Sequence, residues 1–257
     1  MDPLKIFKYI PGTDSERKFV YWSRFLQEQQ FDFSSIQSID LLPPAPLICD
    51  HAGRKFSIDF NLNHLNYQKK KLSLKSELIS RALGAGANGL RLLDLTAGLG
   101  IDAVFLAQQG FQVTAIERNP LIYLSLENAW QDCQDEVLKI NLKFIFQSAK
   151  LFLNDSSSTG LFDLIYFDPM FPEKRKSALP RQEMVFFKNL VGSDEDAAEV
   201  LTTALAKASI HRVVVKRPLK AGFVGDQVPQ SQIKGKLIRY DIYLPRLIRH
   251  PKERPSE

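Results

Sequence analysis

Leu92-Leu93-Asp94-Leu95-Thr96-Ala97-Gly98-Leu99-Gly100-Ile101-Asp102 joins an apolar run to a carboxylate and then to two glycines one residue apart. Residues 90–95 predict a strand, the glycines a tight turn, and residues 102–109, stopped by Gly110, a helix. Strand, turn and helix in that order begin a βαβ unit, and the chain downstream keeps the same rhythm. Residues 112–117 predict a second strand and 121–132 a second helix, with Pro120 suited to an early helical position. Residues 142–147 predict a third strand, 154–160 a polar loop, and 161–167, the most apolar segment, the central buried strand. A helix over 195–209, a fifth strand over 212–216 and a final antiparallel strand over 235–244 complete the pattern. The expected fold class is α/β, a doubly wound sheet spanning residues 76–250.

Upstream, residues 1–75 lack that rhythm and carry Pro43, Pro44 and Pro46. They are expected to form a small N-terminal region, with a β-hairpin over residues 47–60 around Gly53-Arg54. The polar tail over residues 250–257 is expected to fray.

With 257 residues, 44% hydrophobic and 25% charged, the composition is that of a globular protein able to bury a full core. Cys49 and Cys133 lie far apart with no Cys or His at metal-ligand spacing, which argues against a disulfide framework and a zinc site. His51, His64, His211 and His250 form no catalytic or metal pattern, so no metal is expected. No window of about 18 uninterrupted apolar residues exists, and Met1-Asp2-Pro3-Leu4-Lys5 lacks the apolar stretch of a signal peptide. A cytoplasmic protein away from the membrane is expected. The net charge of +5 is moderate and permits a polyanionic partner.

Open α/β sheets bind ligands at the carboxyl ends of their strands. There Gly98 and Gly100 allow close backbone approach, and Asp94 can accept hydrogen bonds from a ligand ammonium or from turn amides. Glu117 follows the apolar run 113–116 and is expected where an adenosine ribose presents its hydroxyls. Gly98-Leu99-Gly100 also fits the dinucleotide fingerprint, and NAD shares its ribose with S-adenosylmethionine, so an NAD-dependent oxidoreductase stays open as an alternative. Asp102 reads equally as a first-turn helix residue favoured by the dipole.

Asp168-Pro169-Met170-Phe171-Pro172 discriminates between them, because it directly follows the most apolar strand. Two prolines make a stiff, extended loop. An exocyclic base amine is a poor nucleophile, since its lone pair is delocalised into the ring. A carboxylate and a proline carbonyl that accept its N–H bonds orient the remaining lone-pair density, while an aromatic ring stacks on the base. Asp168, the Pro169 carbonyl and Phe171 supply those groups, and the motif resembles the Asp/Asn-Pro-Pro-aromatic signature of amino-methyltransferases, with Met170 departing at the third position. Lys174, Arg175 and Lys176 continue the loop as candidate phosphate contacts, as do Lys69, Lys70 and Lys71, and Lys216 and Arg217 at the end of the fifth strand. A non-catalytic RNA-binding assembly factor with the same fold is a further alternative.

Residues 94–103, Glu117-Arg118-Asn119-Pro120, Asp168-Pro169-Met170-Phe171-Pro172 with Lys176-Ser177-Ala178-Leu179, and Val213-Val214-Val215-Lys216-Arg217-Pro218 together resemble the ribosomal RNA small subunit methyltransferase J family. The resemblance spans about residues 69–243. It implies a Rossmann-like class I methyltransferase sheet and methyl transfer from S-adenosylmethionine to the N2 amine of a guanosine in 16S ribosomal RNA or the small ribosomal subunit. It also implies cofactor contacts at Ile101 and Asp102, Glu117 and Arg118, Ser148 and Ala149, and Asp168. Ile101 stands where the family usually has a basic residue, and Ala149 where a second serine is common, which points to backbone contacts at both.

Overall fold

The computed structural model describes residues 3–62, 74–84, 89–155, 160–170, 182–207 and 209–245. Its regular elements begin with β1 (Phe7–Lys8), α1 (Asp14–Glu28), β2 (Ile36–Asp40), β3 (Leu47–Asp50), β4 (Lys55–Phe56) and α2 (Leu74–Leu83). The middle of the chain forms β5 (Arg91–Asp94), α3 (Ile101–Gln108), β6 (Gln112–Glu117), α4 (Pro120–Gln131), α5 (Glu136–Asn141), β7 (Leu142–Phe146), α6 (Ala149–Asn154) and β8 (Leu164–Phe167). Then come α7 (Gln182–Val191), α8 (Ala197–Ala206), β9 (Arg212–Pro218), β10 (Ser231–Lys234) and β11 (Ile238–Tyr243).

Seven strands form the main sheet in the order β10-β11-β9-β8-β5-β6-β7. The five from β9 to β7 run parallel, while β11 is antiparallel to β9 and β10 to β11. The expected strands all form, and β8 occupies the middle of the sheet. β10 was not expected. Its Ser231-Gln232-Ile233-Lys234 sequence is mostly polar, as suits an edge strand, and so carries no apolar signal.

Chain order runs outward from β5 to β7 on one side and from β8 to β9 on the other, so the carboxyl ends of β5 and β8 flank the topological switch point. A crevice opens there because the loops leaving those two strands diverge. Leu92, Tyr166 and Val214 pack on one face with residues of α3 and α4, and Leu93, Ile165, Phe167, Val213 and Val215 on the other with residues of α6 and α8. Cover on both faces explains why these strands read as unbroken apolar runs.

β1 to β4 form a second sheet in that order, and the hairpin β3–β4 pairs Ile48 with Phe56 and Cys49 with Lys55. Helix α1 was not expected. It buries Trp22 and Leu26, four residues apart, yet leaves Val20 59% and Tyr21 45% exposed, which blurs the helical period of its apolar residues. Trp22, Leu26, Ile39, Ile48 and Phe56 belong to the same hydrophobic cluster as Val104 and Leu121. Polar bridges join the two parts, with the Tyr21 hydroxyl donating to Glu127 at 2.8 Å and Lys18 pairing with Asp132 at 3.1 Å.

The antiparallel end of the main sheet holds a buried ion pair. Arg239 and Asp241, 4% and 0% exposed, meet through two parallel N–H···O bonds of 2.8 and 3.0 Å. No helix among the described residues is long and apolar enough to cross a membrane, and both Cys49 and Cys133 are buried free thiols.

Candidate active site

A cavity of about 290 Å³ opens at the switch point. Its walls come from the turn after β5, the start of α3, the ends of β6, β7 and β8, α7, and the loop before α8. Eight of the expected cofactor residues line it: Gly98, Ile101, Asp102, Glu117, Arg118, Ser148, Ala149 and Asp168.

The other two, Asp94 and Gly100, do not line the cavity. Asp94 is 1% exposed beneath the turn, and its Oδ1 accepts the Thr96 amide at 2.9 Å. Burial pushes its carboxyl up to about 8, the Thr96 amide and Lys216 pull the other way, and the nearby Asp102 and Asp168 carboxylates add to the rise. The carboxylate therefore shapes the turn from below. Gly100 caps α3 with φ +75°, and a Cβ there would come within 2.9 Å of Leu126 and 3.1 Å of Phe60. It is a glycine because α4 and the N-terminal region crowd it, rather than because a ligand does. Gly100→Ala is expected to cost about 2–3 kcal/mol in urea unfolding, combining left-handed backbone strain with overpacking; a loss below about 0.5 kcal/mol would contradict this reading.

Gly98 does face the cavity. Its φ is +56°, and a Cβ would press against the Phe187 ring at 3.4 Å. Its amide donates to Glu117 Oε2 at 3.0 Å, while Glu117 Oε1 accepts the Asn119 amide at 2.8 Å. Glu117 is 5% exposed, and burial pushes its carboxyl up to about 7 against the pull of those two amides.

Ser148 caps α6 through its Oγ, which accepts the Leu151 amide at 3.3 Å, and places Ala149 at the helix start. Arg118 pairs with Asp194 at 2.7 Å and donates to the Ser193 carbonyl at 3.2 Å, which holds its partly exposed side chain at the cavity wall. Asp194 also accepts the Met170 amide at 2.6 Å. One carboxylate thus ties the end of β6 to the loop leaving β8. Nothing in Gly192-Ser193-Asp194-Glu195-Asp196 marks Asp194 apart from its neighbours, and only the fold reveals it.

Thr96 was missed for the same reason. Its Oγ1 accepts the Asp168 amide at 2.8 Å and fastens the β8 loop to the β5 turn. Asp168 itself points into the cavity with its side chain 37% exposed, and Pro169 is buried behind it.

Two cations proposed for RNA are placed otherwise. Lys216 lies inside the cavity wall, 14% exposed, with its ammonium 2.5 Å from Asp168 and 2.6 Å from Asp102. Arg217 is 5% exposed and donates two bonds to the Gly222 carbonyl, at 3.1 and 2.7 Å, bracing the turn after β9. Alternation along β9 sends these side chains to opposite faces of a covered sheet, where each has partners within the protein. Phe171, Lys174, Arg175, Lys176, Lys69, Lys70 and Lys71 lie outside the described residues. Among the described residues no group of three or more His, Cys, Asp or Glu is placed to hold a metal.

A doubly wound sheet whose switch-point cavity is lined by a glycine turn, a buried strand-end glutamate and an Asp-Pro loop defines a class I S-adenosylmethionine-dependent methyltransferase. A family model described as putative SAM-dependent methyltransferase matches residues 48–245. A crystal structure of a SAM-dependent methyltransferase from Neisseria gonorrhoeae superposes with a TM-score of 0.68 at 25% identity, covering 93% of this chain and 95% of that one.

The chain belongs to the ribosomal RNA small subunit methyltransferase J family. The protein of that name from Bdellovibrio bacteriovorus is 41% identical over 249 residues, 94% of this chain and 96% of its own. The one from Coxiella burnetii strain Dugway is 44% identical over 255 residues, 95% and 97% of the two chains. This membership removes the NAD-dependent oxidoreductase reading.

Proposed function

We propose that the protein methylates the exocyclic N2 of a guanosine in 16S ribosomal RNA, presented by free RNA or by the small subunit. The observation that carries this reading is Asp168 at the carboxyl end of the central strand, facing the same cavity as Gly98 and Glu117 and followed by Pro169. The name shared by the relatives from Bdellovibrio bacteriovorus and Coxiella burnetii supports a ribosomal RNA acceptor.

The residues present fit the cofactor. Gly98 leaves room beside Phe187 that a side chain would fill, and Glu117 offers a buried carboxylate to ribose hydroxyls. Ile101 and Asp102 at the start of α3, Arg118, and Ser148 and Ala149 at the start of α6 complete the proposed cradle, with Asp168 at its inner end. When bound, S-adenosylmethionine would supply an activated methyl group: the amine lone pair would form the N–C bond as the sulfur–methyl bond breaks with its electron pair on sulfur, and the methylated amine would release one proton to solvent. Asp168 and the Pro169 carbonyl accept the amine N–H bonds and aim its lone pair, which is where positioning lowers the barrier. Phe171 is proposed to stack on the flipped-out base, and Lys69, Lys70, Lys71, Lys174, Arg175 and Lys176 to meet the surrounding phosphates. The N-terminal 75 residues are proposed as a small region appended to the catalytic domain.

A cofactor whose hydroxyls donate to Glu117 prefers the ionised carboxylate, so its binding weakens as pH falls through about 7. Affinity for S-adenosylmethionine measured by calorimetry is expected to drop roughly tenfold more between pH 7.5 and 6 in the wild type than in Glu117→Gln. Equal pH profiles would remove Glu117 from the cofactor contacts.

The decisive experiment is transfer of radiolabelled methyl from S-adenosylmethionine to 30S subunits from a strain lacking the enzyme, followed by nucleoside analysis. N2-methylguanosine is the expected product. Label in another nucleoside would refute the target atom, and no label despite measured cofactor binding would favour the non-catalytic assembly factor.

A further inference from the structure

Lys216 sits near the carboxyl end of β9, opposite Tyr240 of β11, and its ammonium is shared by two carboxylates that both line the cavity. Asp168 Oδ2 accepts from it at 2.5 Å and Asp102 Oδ2 at 2.6 Å; Asp102 Oδ2 also takes the Tyr166 hydroxyl at 2.7 Å. Every side chain in this cluster comes from a different element or register position. The convergence therefore belongs to the fold and not to any local motif.

We propose that Lys216 is a positioning residue for methyl transfer, holding Asp168 in one orientation and in its ionised, hydrogen-bond-accepting form. The proposal rests on the reading above that Asp168 receives the acceptor amine. A carboxylate offers about four lone-pair sites, so the bond to Lys216 leaves capacity for amine N–H groups. A protonated Asp168 would instead turn a donor toward the amine and compete for its lone pair.

The charges around Asp168 make this role necessary. Asp94 from β5 and Asp102 from α3 bring two further carboxyl groups to the cluster, Tyr166 and Tyr240 contribute hydroxyls, and Arg217 lies beside Lys216 on β9. Like charges gathered in one site drive one of them to take a proton; buried Asp94 is the one whose carboxyl is pushed up, and the Lys216 ammonium lies between the other two. Burial disfavours the Lys216 charge, but Asp168 and Asp102 outweigh it and raise the amine above the ordinary lysine range. The cation is thus fixed across the working pH range.

The test is the titration of the Asp168 carboxyl in the RNA-free, cofactor-free protein, followed by carbon-detected NMR and assigned with Asp168→Asn. In the wild type the carboxyl is expected to titrate below the ordinary carboxylate range, beside the Lys216 ammonium. In Lys216→Met its midpoint rises by about one unit or more, a tenfold gain in proton affinity, and Lys216→Arg returns it toward the wild type. The acid limb of the kcat/KM profile, which reports the free enzyme, shifts in the same direction in the same variants. A wild-type midpoint at or above the ordinary carboxylate range overturns the proposal, and that measurement needs no variant if Lys216→Met does not fold. An unchanged midpoint in Lys216→Met, or a loss of kcat with no shift in pH profile, overturns it as well. Because the titration is read without RNA, it stands apart from the identity of the acceptor.

Discussion

Asp168→Ala is expected to lower kcat for methyl transfer by about 10²–10³-fold while leaving S-adenosylmethionine affinity within about tenfold of the wild type. The rate loss follows from what the side chain is proposed to do. It accepts an amine hydrogen bond in a site preorganised around it, and removing one such preorganised partner costs enzymes about this much. In free energy the range is about 3–4 kcal/mol at the transition state. Most of the affinity survives because the other proposed cofactor contacts, from Gly98 to Ala149, come from other strand ends and helix starts. The loop should also stay in place, since Thr96 and Asp194 hold it through the backbone amides of Asp168 and Met170. Methyl transfer to 30S subunits and isothermal calorimetry read the two quantities separately. Near-normal transfer by Asp168→Ala would end the proposed mechanism, and loss of cofactor binding together with transfer would make the cofactor, rather than the amine, the main partner of Asp168.

Arg239→Ala is expected to destabilise the fold by about 3–5 kcal/mol, the cost of stranding a buried charge. Asp241 is fully buried at 0% exposure, and its carboxylate is held by Arg239 and by the Gln232 amide at 2.6 Å. The same guanidinium donates through Nη1 to the carbonyls of Pro218, Leu219 and Ala221, at 3.1, 2.9 and 2.7 Å. With the Nη2 bond to the Gly222 carbonyl at 3.3 Å, truncation therefore leaves one anion and four carbonyls without this donor at once. Urea unfolding followed by circular dichroism measures the loss, which corresponds to a fall in Tm of roughly 10 °C for a chain of this size. The double variant Arg239→Met with Asp241→Leu should lose much less, because an apolar pair needs no compensation. A loss below 1 kcal/mol in Arg239→Ala would show that water reaches Asp241.

The elements that position the site were legible residue by residue. The strands at β5, β6, β7, β8 and β9 fall within a few residues of their expected bounds, because a sheet covered on both faces demands continuous apolar runs and Gly98, Gly110 and Pro120 punctuate them. Helix α1 and strand β10 were not legible. The first spreads apolar side chains around its circumference, and the second is a polar edge that pairs only because β11 lies beside it.

For the site, the composition of each loop was visible and the direction of each side chain was not. Asp168, Glu117 and Gly98 could be assigned to the ligand edge because strand ends and turns are local features. Asp94 and Gly100 belong to the same turn, yet one points beneath it and the other meets Phe60 and Leu126, contacts 40 and 26 positions away in the chain. Lys216 and Arg217 read as a basic pair, and only the pleat of β9 sends one to Asp102 and Asp168 and the other to Gly222.

By itself, then, the sequence determined the parallel sheet, its ligand-binding edge and the Asp-Pro loop at that edge, since each follows from short-range periodicity and turn chemistry. The tertiary structure alone decided that Thr96 and Asp194 anchor the loop, that Lys216 serves the cavity, and that the N-terminal region shares the core. Those outcomes depend on contacts between residues far apart in the chain, and such contacts exist only once the strands have found their order.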